Sequence, residues 1–231
     1  RILEEVEQAD DAAAGAMAAP RGALSITAPA LFGELHVMPA VLGYLRVHRA
    51  VSVRTLLVDR VVNLLDEGVD VAVRIGALPD SSLTAVQVGQ VRRVVCAAPA
   101  FLREHGAPRD PDELQRYCTI TAAMEGRGPQ WRFLQDGQPR RVRVDSQLTV
   151  TSFQAAVLAA CEGWGLTQVV SYQVARHLAS GELEVVLRDF ELPPLPVHVV
   201  YPEGRKSSAK VRSFVDFCVE ALRRDLAALP A

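Results

Sequence analysis

Three short stretches carry residue types that can hold a small anion: Thr27-Ala28-Pro29-Ala30, Arg74-Ile75-Gly76 and Thr151-Ser152. The first and third stand where helices are expected to begin. A helix start presents unpaired N–H groups and partial positive charge, which suits a carboxylate or a phosphate. Arg74 closes a strand, and its guanidinium can grip a carboxylate through two parallel hydrogen bonds. The plainer readings stay open: Arg74 pairing with an acid or bridging two domains, Thr27 and Ser152 as simple caps, and Phe32 as core. Groups for chemistry are missing. No G-x-S-x-G elbow exists, and no Ser, His and acid group together. His36, His48, His105, His177 and His198 show no metal-ligand spacing, so neither a metal nor a cofactor is expected. Gly163-Trp164-Gly165 falls after a helix and before a strand, the wrong order for a dinucleotide fingerprint, and reads as a helix-ending turn. Glu203-Gly204-Arg205-Lys206-Ser207 lacks phosphate-loop spacing and reads as a solvated loop. The set favours recognition over catalysis.

The elements that must position these residues alternate. Leu24 and Ile26 mark a first strand, stopped by Pro29. Phe32, Leu35, Val37, Met38, Val41, Leu42 and Leu45 give a helix with a broad apolar face, of which part is expected to be core or half of a dimer contact. Strands follow at 51–57 and 69–73, with a short helix at Leu64-Leu65 ending at Gly68. Two consecutive βαβ crossovers predict a parallel sheet, with ligands outside the carboxyl ends of its strands. A further strand runs from Val91 to Ala97. Beyond it come a helix at 100–105, a helical turn at 111–114, and strands at 131–134 and 142–150 around Asp136-Gly137. A helix then starts at Thr151, with Thr151 and Gln154 as a capping box. Leu166–Val170 and Leu183–Leu187 are strands flanking a helix at 172–178. Pro193-Pro194-Leu195-Pro196 is stiff and extended, and leads into a strand at 197–201 and a last helix bearing Val211, Phe214, Val215, Cys218 and Leu222 on one face. The expected organisation is α/β: two Rossmann-like subdomains, 21–97 plus 196–231 and 98–195, joined by two crossings with a cleft between them. Residues 1–20 read as the end of a linker helix from an upstream segment.

Bulk properties agree with a soluble binding protein. Of 231 residues, 49% are hydrophobic and 23% charged. That is enough for a full core. The net charge of −2 is a poor basis for gripping DNA directly. Lys206 and Lys210 are the only lysines, so the positive charge is almost all arginine, which we attribute to coding bias. Cys96, Cys118, Cys161 and Cys218 lie far apart and are expected to be buried reduced thiols. No apolar run is long enough to cross a bilayer and no signal peptide opens the chain, so a cytoplasmic location without membrane contact is expected.

Read together, Gly22-Ala23-Leu24-Ser25-Ile26-Thr27-Ala28-Pro29, Asp59-Arg60-Val61-Val62-Asn63-Leu64, Gly68-Val69-Asp70-Val71-Ala72-Val73-Arg74-Ile75-Gly76 and Arg92-Arg93-Val94-Val95-Cys96-Ala97 resemble the effector-binding domain of LysR-type transcriptional regulators. Ser171-Tyr172-Gln173-Val174, Gly181-Glu182-Leu183, Leu195-Pro196-Val197-His198 and 209–217 continue the likeness, in order, over roughly residues 21–222. The resemblance implies a fold like type 2 periplasmic binding proteins, a winged helix-turn-helix before Arg1 as the only DNA contact, and homodimers or tetramers. It also implies a small-molecule effector, a small organic acid or an aromatic, in the cleft. The effector would touch Thr27, Ala28, Pro29, Ala30, Phe32, Arg74, Ile75, Gly76, Thr151, Ser152, Thr167 and Gln168. Gln168 stands where an apolar residue is frequent and would add a hydrogen bond. Competing readings are a transporter's solute-binding protein, which needs export, and a cleft enzyme such as a small-molecule transferase, which needs turnover.

Overall fold

The computed structural model describes residues 19–78, 83–122, 130–203 and 208–228. The expected linker helix over 1–18 and most of the loop at 203–207 lie outside them. The chain divides into two compact units, one holding the residues up to Gln90 and those from Pro196 onward, the other the residues from Val91 to Leu195.

The first unit is built on β1 (Gly22–Ala28), β2 (Val51–Leu57), β3 (Val71–Ile75), β4 (Leu83–Val91) and β12 (Leu195–Pro202), in the sheet order β2-β1-β3-β12-β4. β1 lies parallel to β2 along its whole length, from Gly22 beside Val51 to Ala28 beside Leu57, and parallel to β3 at Ile26–Val71. β12 runs antiparallel to β3, with His198 beside Arg74. Val71, Ala72 and Val73 are all buried, as a central strand covered on both faces requires. Between β1 and β2 runs helix α1, formed by Ala30–Phe32, a π-helical Gly33–Val37 and Met38–Val47 in succession. Its buried Tyr44 meets Phe214 edge-on with ring centroids 5.2 Å apart, and Phe217 at 5.7 Å. Those rings belong to the last helix, Ala209–Ala227. Such pairs add to the burial of the rings themselves.

The second unit contains β5 (Arg93–Ala97), helix α2 (Pro99–His105), a 3₁₀ turn at Pro111–Arg116, β6 (Thr119–Ala122), β7 (Gln130–Gln135), β8 (Gln138–Arg143), β9 (Ser146–Val150), helix α3 (Phe153–Cys161), β10 (Leu166–Val170), helix α4 (Ser171–Ala179) and β11 (Glu184–Val186). The last helix of the chain, Ala209–Ala227, is α5. The sheet order is β11-β5-β10-β6-β9, with β7 and β8 as a separate hairpin. Asp136 and Gly137 have φ of 51° and 73°. Paired positive values are what a two-residue hairpin turn demands. Two apolar clusters cover the sheet. Phe101, Leu114, Trp131 and Phe133 gather with Leu166 in one. Ile120, Ala156, Val157 and Val174 make the other.

Four sequence expectations change. The helix at Leu64-Leu65 is a single turn: the Asn63 side chain accepts from the Leu65 N–H, and Gly68, at φ 65°, ends it at once. An asparagine that bonds its own backbone two residues on favours a turn over a helix. The second crossover is therefore a loop; β1, β2 and β3 run parallel as expected, but β12 joins them antiparallel, so the sheet is mixed. Val91–Ala97 is the end of one strand and the whole of another. Arg93–Ala97 pairs with β10, Cys96 beside Thr167, so this strand belongs to the second sheet and the crossing lies near residue 91, not 97. Ser171 fixes that point, its N–H donating to Arg92 O at 2.7 Å and its hydroxyl accepting from Arg92 N–H at 3.1 Å. The strand expected over 142–150 breaks at Val144-Asp145 into β8 and β9. β4 was not expected: as an edge strand it buries only Val88 and Val91, too little alternation to read.

All four cysteines are free; Cys96 and Cys218 are buried as expected, Cys161 is half-buried and Cys118 is exposed. Burial pushes the Cys96 and Cys218 thiols up to about 12. In the unfolded chain both ionise at about 8.5. The folded form thus holds more protons at high pH, so stability is intact below the unfolded pKa and falls as pH rises toward 12. Urea titrations from about pH 8 to 10 are expected to show a fall of up to about 1 kcal/mol per pH unit for each thiol. Cys96→Ala/Cys218→Ala flattens that slope; an unchanged slope assigns it to other groups.

Candidate functional site

β1 and β3 lie side by side, but the chain leaves β1 toward β2 on one flank and returns to β3 on the other. This is a switch point, where diverging connections leave a crevice at the carboxyl ends of the strands. A cavity of about 140 Å³ opens there, lined by Thr27, Ala28 and Pro29 from the end of β1, Val58 to Val62 from the loop after β2, and Val73, Arg74 and Ile75 from β3. Asp70 fastens the two strands below it. Its carboxylate accepts the Ser25 N–H at 2.8 Å, and its own N–H donates to Ser25 O at 2.9 Å.

Charge in the cavity wall is unevenly matched. Arg60 is held by Glu67 in a fork of two bonds, at 2.8 and 2.6 Å. The Arg74 guanidinium donates to the carbonyl of Val62, and among the described residues it makes no ion pair with a carboxylate. Burial lowers its pKa from the usual guanidinium value. An arginine nonetheless stays charged, so Arg74 is a half-buried cation answered only by a neutral oxygen. The start of α1 differs from expectation. Pro29 offers no side-chain cap; instead Asp59, from the loop after β2, accepts the Ala30 N–H at 3.0 Å. The N–H expected to await an anion is already taken by an internal carboxylate.

Of the predicted contacts, Thr27, Ala28, Pro29, Arg74 and Ile75 meet around this cavity. The Thr27 hydroxyl donates to Leu56 O at 2.7 Å, which leaves only its lone pairs for a ligand. Phe32 is fully buried against His36, its core reading. Gly76 takes φ 105° and donates to Pro196 O at 2.8 Å. That backbone conformation favours glycine. In the second unit Thr151 and Ser152 are exposed. Ser152, rather than Thr151, caps α3, accepting the Ala155 N–H at 3.3 Å, so the Thr151–Gln154 box does not form. Thr167 is fully buried, with its hydroxyl donated to Ile120 O at 3.0 Å. The Gln168 amide spends both ends on the Arg132 backbone, accepting from N–H at 3.2 Å and donating to O at 3.0 Å. Asp59 was the residue missed. Nothing local marks a loop aspartate as the cap of a helix whose start lies far upstream in the chain.

The LysR substrate binding domain model matches residues 18–223, nearly the whole chain. The chain belongs to the LysR substrate-binding-domain family. An HTH-type transcriptional regulator of Xanthomonas campestris is 32% identical over 230 residues, covering 97% of this chain and 67% of that protein. The regulator DmlR of Escherichia coli is 30% identical over 218 residues, 94% of this chain and 71% of its own length. Among solved structures, CrgA, a LysR-type transcriptional regulator from Neisseria meningitidis, gives a TM-score of 0.78 at 25% identity, covering 96% of this chain and 76% of CrgA. A full-length variant of AphB reaches a TM-score of 0.80 at 22% identity, covering 95% of this chain and 75% of that one, a likeness of fold alone. The architecture is thus the type 2 periplasmic-binding-protein-like fold of LysR regulatory domains, and the chain is a ligand-sensing regulatory domain. Its relatives are regulators, not enzymes or transport proteins. No helix among the described residues is long and apolar enough to cross a membrane.

Proposed function

We propose that the cavity at the ends of β1 and β3 receives the anionic group of a small organic acid, with Arg74 as its counter-ion. One observation supports this reading above the rest: a half-buried guanidinium at a switch point with no carboxylate to answer it among the described residues. The effector is bound and released unchanged. Its differential affinity for two conformations of the regulator shifts their populations, and through them the presentation of a DNA-binding segment at a promoter in the cytoplasm. Leu35 and Leu42, about half exposed on α1, are the proposed apolar contact of a homodimer or of a pair within a tetramer.

A thermal-shift screen of small metabolites tests the reading, because any ligand selective for the folded state raises the melting temperature. Organic acids are expected among the hits, and their effect is expected to vanish in Arg74→Ala. A hit list of cations or neutral compounds overturns the choice of ligand class. Asp59→Asn gives an independent check: it keeps an acceptor for the Ala30 N–H but removes a negative charge from the cavity wall. Affinity for an acidic hit, measured by calorimetry, is expected to rise severalfold, since a like charge nearby costs on the order of 1 kcal/mol at partly solvated sites. A loss of affinity would place Asp59, not Arg74, as the principal contact.

A further inference from the structure

Cys161, His177 and Glu182 come from three successive pieces of the second unit: the last residue of α3, the final turn of α4, and the segment after Gly181. Cys161 Sγ lies 3.5 Å from His177 Nδ1, and Glu182 Oε2 lies 2.6 Å from the same nitrogen. All three ligand atoms fall within 4.8 Å of one another. We propose that this cluster is a binding site for a borderline-soft divalent cation of the Zn²⁺ class, separate from the effector cavity.

Thiolate, imidazole and carboxylate are the three protein donor types zinc accepts, and three of them leave a fourth position for water. The spacing fits. Sulfur at about 2.3 Å and nitrogen at about 2.0 Å on one tetrahedral centre stand about 3.5 Å apart. That is the separation between Cys161 Sγ and His177 Nδ1. Nitrogen and oxygen on the same centre stand about 3.3 Å apart, so the Glu182 carboxylate has to swing off the imidazole while staying within reach of the sulfur, and the three ligand atoms already lie within 4.8 Å of one another. The Glu182 side chain is 59% exposed and has room to do so. The backbone holds it close: Gly181 takes φ 75°, and the N–H groups of Glu182 and Leu183 both donate to His177 O, at 2.9 and 3.1 Å.

A hydrogen-bond chain alone explains the arrangement less well. Arg176 Nε donates to His177 Nε2 at 3.1 Å, which puts the imidazole hydrogen on Nδ1, pointed at Glu182. Cys161 Sγ then shares a hydrogen already given to a better acceptor. Sulfur, nitrogen and oxygen converge on one point, with the Nδ1 hydrogen serving the Glu182 carboxylate. On metal binding His177 takes its other tautomer, with the hydrogen on Nε2, and Arg176 swings into solvent. The thiol exchanges its proton for the cation (Cys–SH + M²⁺ → Cys–S–M⁺ + H⁺). The incoming metal displaces the thiol proton as it binds. The bound ion ties α3, α4 and the approach to β11 together.

Co²⁺ is the probe, titrated into the purified chain in a Cys118→Ser background that removes the exposed thiol. The expected result is one equivalent bound, with tetrahedral visible bands and a thiolate-to-cobalt charge-transfer band, both erased by Zn²⁺. Cys161→Ser and His177→Gln are each expected to abolish the charge-transfer band or to weaken binding by more than about 100-fold, since loss of a mere outer-shell partner costs about 10–100-fold. Glu182→Gln, at the surface, keeps the fold and is expected to weaken binding at least about tenfold. A band that survives Cys161→Ser, a spectrum without thiolate character, or no detectable binding overturns the site.

Discussion

Arg74→Ala is expected to weaken binding of an acidic effector by about 10- to 100-fold, because a hydrogen bond to a charged group contributes roughly 1.5–3 kcal/mol. The fold is expected to survive. The only bond the guanidinium makes among the described residues is to the carbonyl of Val62. A neutral acceptor facing a solvated cavity finds water when its donor is removed. Calorimetry with an acidic screening hit measures the first effect, and thermal melting the second. Arg74→Lys separates charge from geometry. A lysine keeps the point charge but not the planar fork, so it restores part of the affinity if the effector's carboxylate is gripped by two bonds, and nearly all of it if only charge matters. Unchanged affinity in Arg74→Ala removes this residue from the site.

The parts of this site that were legible in the sequence are those set by local rules. Alternation of Leu24 and Ile26, and of Val71 and Val73, marked the two strands whose ends frame the cavity, and the crossover order placed a crevice there. Arg74 followed as the last polar residue of its strand. What was not legible depends on partners distant in the chain. Asp59 caps a helix that begins 29 residues before it, and the Gln168 amide is spent on Arg132, 36 residues away. Thr167 was expected at the effector only through the resemblance; it is buried because antiparallel pairing with Cys96 and a bond to Ile120 O leave it no solvent. The boundary error near residue 97 has the same origin. Val91 read as the start of the strand that runs to Ala97, and only the separate pairing partners show that it ends β4 while Arg93 opens β5. Cys161, His177 and Glu182 have no motif spacing at all, and packing of α3 against α4 is what brings them together.

Gly165→Ala is expected to destabilise the second unit by at least about 2–3 kcal/mol, at the upper end of what overpacking costs. A Cβ at this position would stand 2.3 Å from Cys118 O and 2.8 Å from its carbonyl carbon, and both are backbone atoms that no rotamer change can move. The contact lies at the start of β10, where Leu166 N–H donates to Cys118 O at 2.9 Å and opens the pairing with β6. Relief of the clash pulls these strands apart at their first bond, next to Thr167 and its link to Ile120 O. Gly163→Ala is the control. It lies two residues earlier at φ 78° with nothing within 4 Å of an added Cβ. Its cost is that of the left-handed backbone alone, about 1–2 kcal/mol. Gly163→Asn, which tolerates that backbone, is expected to recover most of the loss, whereas Gly165→Asn is expected to fare no better than Gly165→Ala. Urea unfolding of the four variants orders them. Equal losses at both positions would mean that backbone conformation, not the close approach to Cys118, makes Gly165 a glycine.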